Sequence, residues 1–176
     1  MLAKKLNARR FLFCSTTGVY PSEPGKYVEG MKISPSSDKQ KRLLINEQLV
    51  SDGNISSTIV RLGGLIGNAR HPGRFLSGKT LSTSSMATVN MLHQKDAIAG
   101  LIYLANIDVN CDVVNLVTPH HPTKGEFYNQ AALQLKLPTP SFAKENQDYR
   151  VISSEYIQTL GFTYNYTNLF DALNAC

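Results

Sequence analysis

Three consecutive hydroxyl residues, Ser15, Thr16 and Thr17, follow directly on the apolar run Phe11-Leu-Phe-Cys14. The run has no polar alternation, so it reads as a strand buried on both faces, from Arg10 to Ser15. Such a strand ends at its carboxyl edge in the hydroxyls, and ligands bind at that edge in open α/β sheets. The hydroxyls therefore serve either chemistry or the capping of the next turn. A second candidate lies in the stretch between Asp52 and Asp96, which contains no acid but holds Arg61, Arg70, Arg74, Lys79 and Lys95. It faces either an anionic ligand or solvent.

Gly63-Gly64-x-x-Gly67 follows the β-branched run Ser57–Leu62. A dinucleotide fingerprint needs a helix immediately after its glycines and an acidic residue about 20 positions on. Here a Pro/Gly/Arg loop, Asn68 to Arg74, comes next, and no strand-terminal acid stands at that distance. The alternatives are a backbone that passes close to another part of a ligand, with Arg70, His71 and Arg74 pairing a phosphate or carboxylate, or a plain surface loop. His120-His121 reads as a pair of turn residues, since adjacent imidazoles do not converge on a metal without further ligands. His93 and Asp96 sit at a helix start, where the acid complements the macrodipole.

Around these residues, a chain of 176 residues suits one domain with a real core. Three distant cysteines, Cys14, Cys111 and Cys176, suggest neither a disulfide framework nor a zinc site, and a reducing, cytoplasmic setting is expected. No stretch has the length and apolarity of a signal peptide or a membrane span. The net charge is +5, but no basic run with interleaved aromatics points to nucleic acid.

Leu2 and Leu6 suggest that the chain opens inside a helix. After a turn region from Pro21 to Ser34, Ser34-Pro35 predicts a helix start, with the stop at Asp52-Gly53. Strands are expected at 57–62, 88–92, 113–117 and 149–152. Helices are expected at 93–107, 124–135, 154–160 and 166–174. Alternating strands and helices give an α/β chain with a parallel sheet. The expected organisation is residues 1–117 as the C-terminal half of a Rossmann-like domain and 118–176 as a small α+β lobe.

Phe13-Cys-Ser-Thr-Thr-Gly-Val-Tyr20, Val60-Arg-Leu-Gly-Gly-Leu-Ile-Gly67, Asn90-Met-Leu-His-Gln-Lys-Asp96 and Val114-Asn-Leu-Val117, in that order and spacing, resemble the extended short-chain dehydrogenase/reductases, specifically atypical NAD-dependent epimerase/dehydratase-like members. The resemblance implies that Thr16 hydrogen-bonds the reacting oxygen of a small-molecule substrate. It places Ser15, Leu62 and Gly63 beside an NAD or NADP cofactor, Glu47 near the end of the active-site helix, and Arg70 and Arg74 in a substrate-facing loop. A role in metabolism like that of nucleotide sugars is implied as well.

Three departures accompany the matches. The glycine-rich phosphate turn of these proteins belongs upstream of the hydroxyl strand, so cofactor binding by this chain alone is not expected. The catalytic Tyr-x-x-x-Lys is represented only by Ser37 and Lys41, and a serine hydroxyl does not replace a phenol that titrates near pH 10. Gly64 and Val89 stand where nucleotide-sugar enzymes usually carry Asn and Arg. The implied function is the C-terminal portion of an epimerase/dehydratase-like protein, inactive in isolation, with a binding or regulatory remnant as the alternative. The family layout gives the hydroxyl strand one neighbour within the chain, at 57–62, so self-association or a partner chain completing the sheet is expected.

Overall fold

The computed structural model describes residues 10–53, 55–108, 111–144 and 149–176, which leaves the expected helix at residues 2–9 outside the described residues. Strand β1 (Phe11–Thr16) runs into a short 3-10 turn at Thr17–Val19, β2 (Gly25–Tyr27) and helix α1 (Asp38–Ser51). β3 (Ser57–Leu62), β4 (Gly64–Ile66), the short helix α2 (Pro72–Leu76), β5 (Thr80–Ser84), β6 (Met91–His93) and α3 (Gln94–Asn106) follow. The chain continues through β7 (Val113–Leu116), α4 (Lys124–Gln134), β8 (Ser141–Lys144), β9 (Arg150–Ile152), α5 (Glu155–Thr159) and α6 (Leu169–Asn174).

The central sheet has the order β1-β3-β7, and all its pairings are parallel, with Ser15 beside Arg61 and Arg61 beside Asn115. Side chains alternate between the faces of a strand. Val60, Val114 and Leu116 enter one apolar cluster with Ala97 and Leu104 of α3. Arg61 reaches the opposite face, where it meets Glu47 of α1. One helix thus covers each face, the arrangement expected of a parallel sheet. Three parallel two-stranded ladders, β2-β9, β4-β6 and β5-β8, surround it. Phe127 and Ala131 of α4 with Leu169, Ala172 and Leu173 of α6 form a second cluster.

Several sequence expectations are corrected. β1 is not buried on both faces: Phe11 is 39% exposed and Cys14 is also exposed, because β1 is an edge strand with no partner on its outer side among the described residues. α1 is capped by Ser37 rather than Ser34, with the Ser37 hydroxyl accepting from the Gln40 amide. Gln40 selects this start by accepting from both the amide and the hydroxyl of Ser36. The strand expected at 88–92 is shorter and later, Met91–His93. Inside the expected Pro/Gly/Arg loop lies α2, whose Gly73 presses so closely on α4 that a β-carbon there would overlap the Ala131 carbonyl.

Candidate functional site

A polar row crosses the α1 face of the central sheet. Because Ser15, Arg61 and Asn115 are register neighbours, their side chains emerge side by side. Glu47 descends from α1 onto two of them, accepting from Ser15 Oγ at 2.5 Å, Arg61 Nε at 3.1 Å and Arg61 Nη2 at 2.7 Å. Tyr20 completes the row: its hydroxyl accepts from Arg61 Nη1 at 2.9 Å and donates to Asn115 Oδ1 at 2.8 Å. Burial alone would lower the Arg61 pKa, but the hydrogen bonds and charge of Glu47 more than offset it, so the guanidinium stays charged. Burial is also the main reason that the Tyr20 phenol is pushed above its ordinary value, against the opposing pull of Arg61.

Tyr20 also lines a cleft of about 570 Å³ outside the carboxyl edge of the sheet. Thr17 and Gly18 after β1, Ser36, Ser37, Lys39 and Gln40 around the start of α1, Thr83, the segment Ala87–Met91, Lys124 and Tyr128 of α4, and Arg150 form its walls. A cleft at this edge is where an open α/β sheet binds its ligands. Arg150 holds the wall together by donating to the carbonyls of Pro21 at 2.5 Å and Thr17 at 3.0 Å. Asn90 ties β9 into the same wall through its side chain, donating to the Arg150 carbonyl and accepting from the Ile152 amide. Tyr128 is raised to about 12 by burial, so its hydroxyl remains a proton donor at neutral pH.

The residues singled out from sequence fall in three places. Ser15, Thr16, Leu62 and Gly63 come together at the carboxyl edge of β1 and β3, with Thr16 and Leu62 in register. Thr16 Oγ1 accepts from the Gly18 amide, so one role of the hydroxyl cluster is to cap the 3-10 turn. Ser15 is committed to Glu47, and Leu62 packs against the α3-side core. Lys41 projects from α1 into solvent, 3.4 Å from Asp38, and does not line the cleft. Arg70 donates to the Leu65 carbonyl and lies over the Phe75 ring, and neither Arg70 nor Arg74 lines the cleft.

The histidines and Asp96 have structural partners. His93 caps α3 through Nδ1, and Asp96 accepts from the Asn165 amide, the Asn165 side chain and the Tyr166 amide. His120 bonds Asn168, and His121 bonds the Val89 carbonyl. Among the described residues no group of three His, Cys, Asp or Glu side chains could hold a metal ion, and no helix is long and apolar enough to cross a membrane. Lys39, Lys124, Tyr128 and Arg150 were not singled out from sequence. They lie on three separate segments, Lys124 and Tyr128 sharing α4, and no local signal links them.

The glycines after β3 do not fit a dinucleotide. A β-carbon at Gly63 would sit 3.0 Å from the Asn90 carbonyl and one at Gly64 2.5 Å from Met91 Sδ, while one at Gly67 would overlap the Gln94 side chain. They admit β6 and the start of α3 rather than a pyrophosphate, and among the described residues no glycine turn leads directly into a helix N-terminus that would hold one.

No family model matches the chain. Protein YeeZ of Escherichia coli (strain K12) is 32% identical over 161 residues, covering 89% of this chain and 58% of its own length. The chain thus spans little more than half the length of the curated relatives it matches. Among solved structures, a putative NAD-dependent epimerase/dehydratase from Methylobacillus flagellatus superposes with a TM-score of 0.81 at 20% identity, over 98% of this chain and 64% of that one. UDP-glucuronic acid 4-epimerase from Bacillus cereus, in complex with NAD, gives 0.78 at 19% identity over 98% and 61%. With the parallel β1-β3-β7 sheet and its covering helices, these likenesses show that the chain has the fold of part of the NAD-dependent epimerase/dehydratase proteins, a partial Rossmann-like α/β fold.

Proposed function

We propose that this chain is the ligand-binding, C-terminal portion of an NAD(P)-dependent epimerase/dehydratase-like protein, and that in isolation it binds a small molecule without performing redox chemistry. The carrying observation is the chemistry of the cleft. General acid/base work on a sugar-like hydroxyl needs a phenol or equivalent group tuned toward neutral pH. Both tyrosines that line the cleft are raised instead, Tyr128 to about 12. Ser37 is spent on capping α1, and Lys41 points to solvent beside Asp38. Thr16, Ser15, Leu62 and Gly63 keep the positions at the sheet edge where the family resemblance puts the reacting group, and in a complete protein they would border it.

Calorimetric titration of the chain with NAD(H) and NADP(H) tests the proposal. No binding in the micromolar range is expected, and a micromolar dissociation constant for either would overturn it.

The proposal includes a companion for β1. On the β7 side, the Glu29 carboxylate accepts from the Asn115 amide at 2.8 Å and blunts that edge. β1 has no comparable cover among the described residues, and Phe11 and Cys14 are exposed on it. An uncovered strand edge is a template for pairing. The chain is therefore expected to self-associate or to pair with βα units supplied by another chain. A monodisperse monomer by light scattering, with a cooperative melt and no binding of an apolar dye, would count decisively against this.

A further inference from the structure

The β2-β9 ladder has a second face that the cleft does not use. Side chains alternate along β9, so Arg150 lines the cleft while its neighbours Tyr149 and Val151 line a separate pocket of about 510 Å³. Lys26, the register neighbour of Val151, shares that face. Pro119 and His121, from the turn between β7 and α4, and Glu155 of α5 also contribute to the lining. The volume is that of a small-molecule site, and the exposed lining is mostly apolar.

His121 supplies this pocket with a fixed hydrogen-bond acceptor. Its Nδ1 lies 3.3 Å from the Val89 carbonyl, which can only accept, so Nδ1 carries the proton. Burial holds the imidazole below its ordinary pKa of 6.5, so at neutral pH the ring is uncharged and Nε2 keeps its lone pair. No bonded partner for Nε2 is found among the described residues. Val89 does not line the pocket, so the ring edge turned away from Val89 is the one open to it. The turn is clamped: the Val89 amide donates to the Pro122 carbonyl at 3.0 Å, and Thr88 bridges to Thr123.

We infer that this pocket binds an indole amino acid, its ring packed on Val151 and Tyr149, its ring N–H donating to His121 Nε2, and its charged groups meeting Lys26 and Glu155. Indole fits because it is planar and apolar apart from a single N–H donor. A nucleobase would bring carbonyls and ring acceptors onto apolar surface, where leaving them unpaired is costly. Lys26 Nζ and Glu155 Oε1 stand 2.7 Å apart with both side chains exposed. Such a pair contributes little to stability, so one zwitterion can recruit both charges at small cost. The pocket is distinct from the cleft, and the inference stands independently of the proposed function.

The chain contains no tryptophan, so indole fluorescence reports the ligand alone. Titrating L-tryptophan with the full chain should give a saturable blue shift and a dissociation constant below about 1 mM. The 3-benzothienyl analogue of tryptophan, in which sulfur replaces the ring N–H, should compete about fivefold more weakly, the size of one lost hydrogen bond. N-acetyl-L-tryptophanamide, which lacks both charges, should also bind more weakly. His121→Asn keeps a donor for the Val89 carbonyl and removes Nε2, so it should bind tryptophan and the benzothienyl analogue equally. Val151→Phe, which fills the pocket from the ladder, should abolish binding. Near-UV circular dichroism establishes that each variant keeps the fold, and the ligand series on the unaltered chain decides the matter if one does not.

No saturable binding of tryptophan below about 1 mM would overturn the inference outright. Equal binding of the benzothienyl analogue to the unaltered chain, or a preference for tryptophan that survives in folded His121→Asn, would overturn the assignment to His121. Equal binding of N-acetyl-L-tryptophanamide would overturn the amino-acid assignment, and undiminished binding by folded Val151→Phe would overturn the location.

Discussion

Removing the Glu47 carboxylate tests whether the polar row organises the sheet edge. The Glu47 and Arg61 side chains are only 5% and 6% exposed, and Glu47 takes three hydrogen bonds. Glu47→Ala leaves the guanidinium buried with the Tyr20 hydroxyl as its remaining bonded side chain and deprives Ser15 of its acceptor. Breaking a buried ion pair by deleting one partner costs roughly 3–5 kcal/mol. The better helix propensity of alanine returns only a few tenths. With a urea slope of about 2 kcal/mol per molar, the unfolding midpoint should fall by on the order of 2 M. Replacing both partners with apolar residues, Glu47→Leu with Arg61→Met, removes the stranded charge and should destabilise less than Glu47→Ala alone. Glu47→Gln keeps an acceptor for Arg61 and should fall between wild type and Glu47→Ala. A Glu47→Ala midpoint within about 0.5 M of wild type, or a double variant less stable than the single one, would refute the reasoning. The first result would equate the pair with an exposed one, worth about 0–1 kcal/mol.

Glu29 is raised above its ordinary value of 4.5, chiefly by burial, so its contribution to stability is full below that value and is lost as the pH rises through its folded pKa. Glu29→Gln, which can still accept the Asn115 amide, should therefore be more stable than wild type at pH 7, and urea melts should show the difference closing toward pH 4. Gly73→Ala should cost about 3 kcal/mol in a thermal or urea melt, because its β-carbon meets backbone of α4 that cannot swing aside; a neutral effect would show that α2 is free to shift. Mass-spectrometric mapping of alkylation at neutral pH should find exposed Cys14 modified first, buried Cys111 protected and Cys176 slow because burial pushes its thiol to about 11. Association through the β1 edge should slow Cys14 selectively, and a rate independent of protein concentration would argue against that edge as the contact.

Much of the fold was legible because its signals are local. The β-branched run at Ser57–Leu62 forms a strand over those residues, and the helix expected from Lys124 starts there behind a Thr123/Glu126 capping box. β1 was placed correctly along the chain, but its burial was misread. An apolar run records side-chain type, whereas burial depends on what lies beyond the strand, and β1 has a neighbour on one side only. The start of α1 was misjudged because Ser34, Ser36 and Ser37 are all competent caps, and Gln40 decides among them from within the helix. β5 and β8 went unseen altogether: Thr80–Ser84 is a largely exposed polar strand whose partner lies some 60 residues away.

The separation between sequence and space is sharpest in the charges. Between Asp52 and Asp96 the chain carries five cations and no acid, a pattern that suggests one basic surface. Folding disperses it. Arg61 turns inward to Glu47, Arg70 lies over Phe75, Lys95 over Tyr166, and Arg74 joins the short helix packed on α4. The cations that gather at the cleft, Lys39, Lys124 and Arg150, come from three distant segments, each of which has an acid within three residues in sequence. Asp38 precedes Lys39 but pairs with Lys41 on the solvent side, and Glu126 closes the cap of α4 on Thr123, so neither carboxylate lines the cleft. Alternation along the chain lets two helix termini satisfy their own acids locally while their lysines contribute to a shared positive wall, which is why a linear count of charge pointed to the loop and the folded geometry points to the cleft.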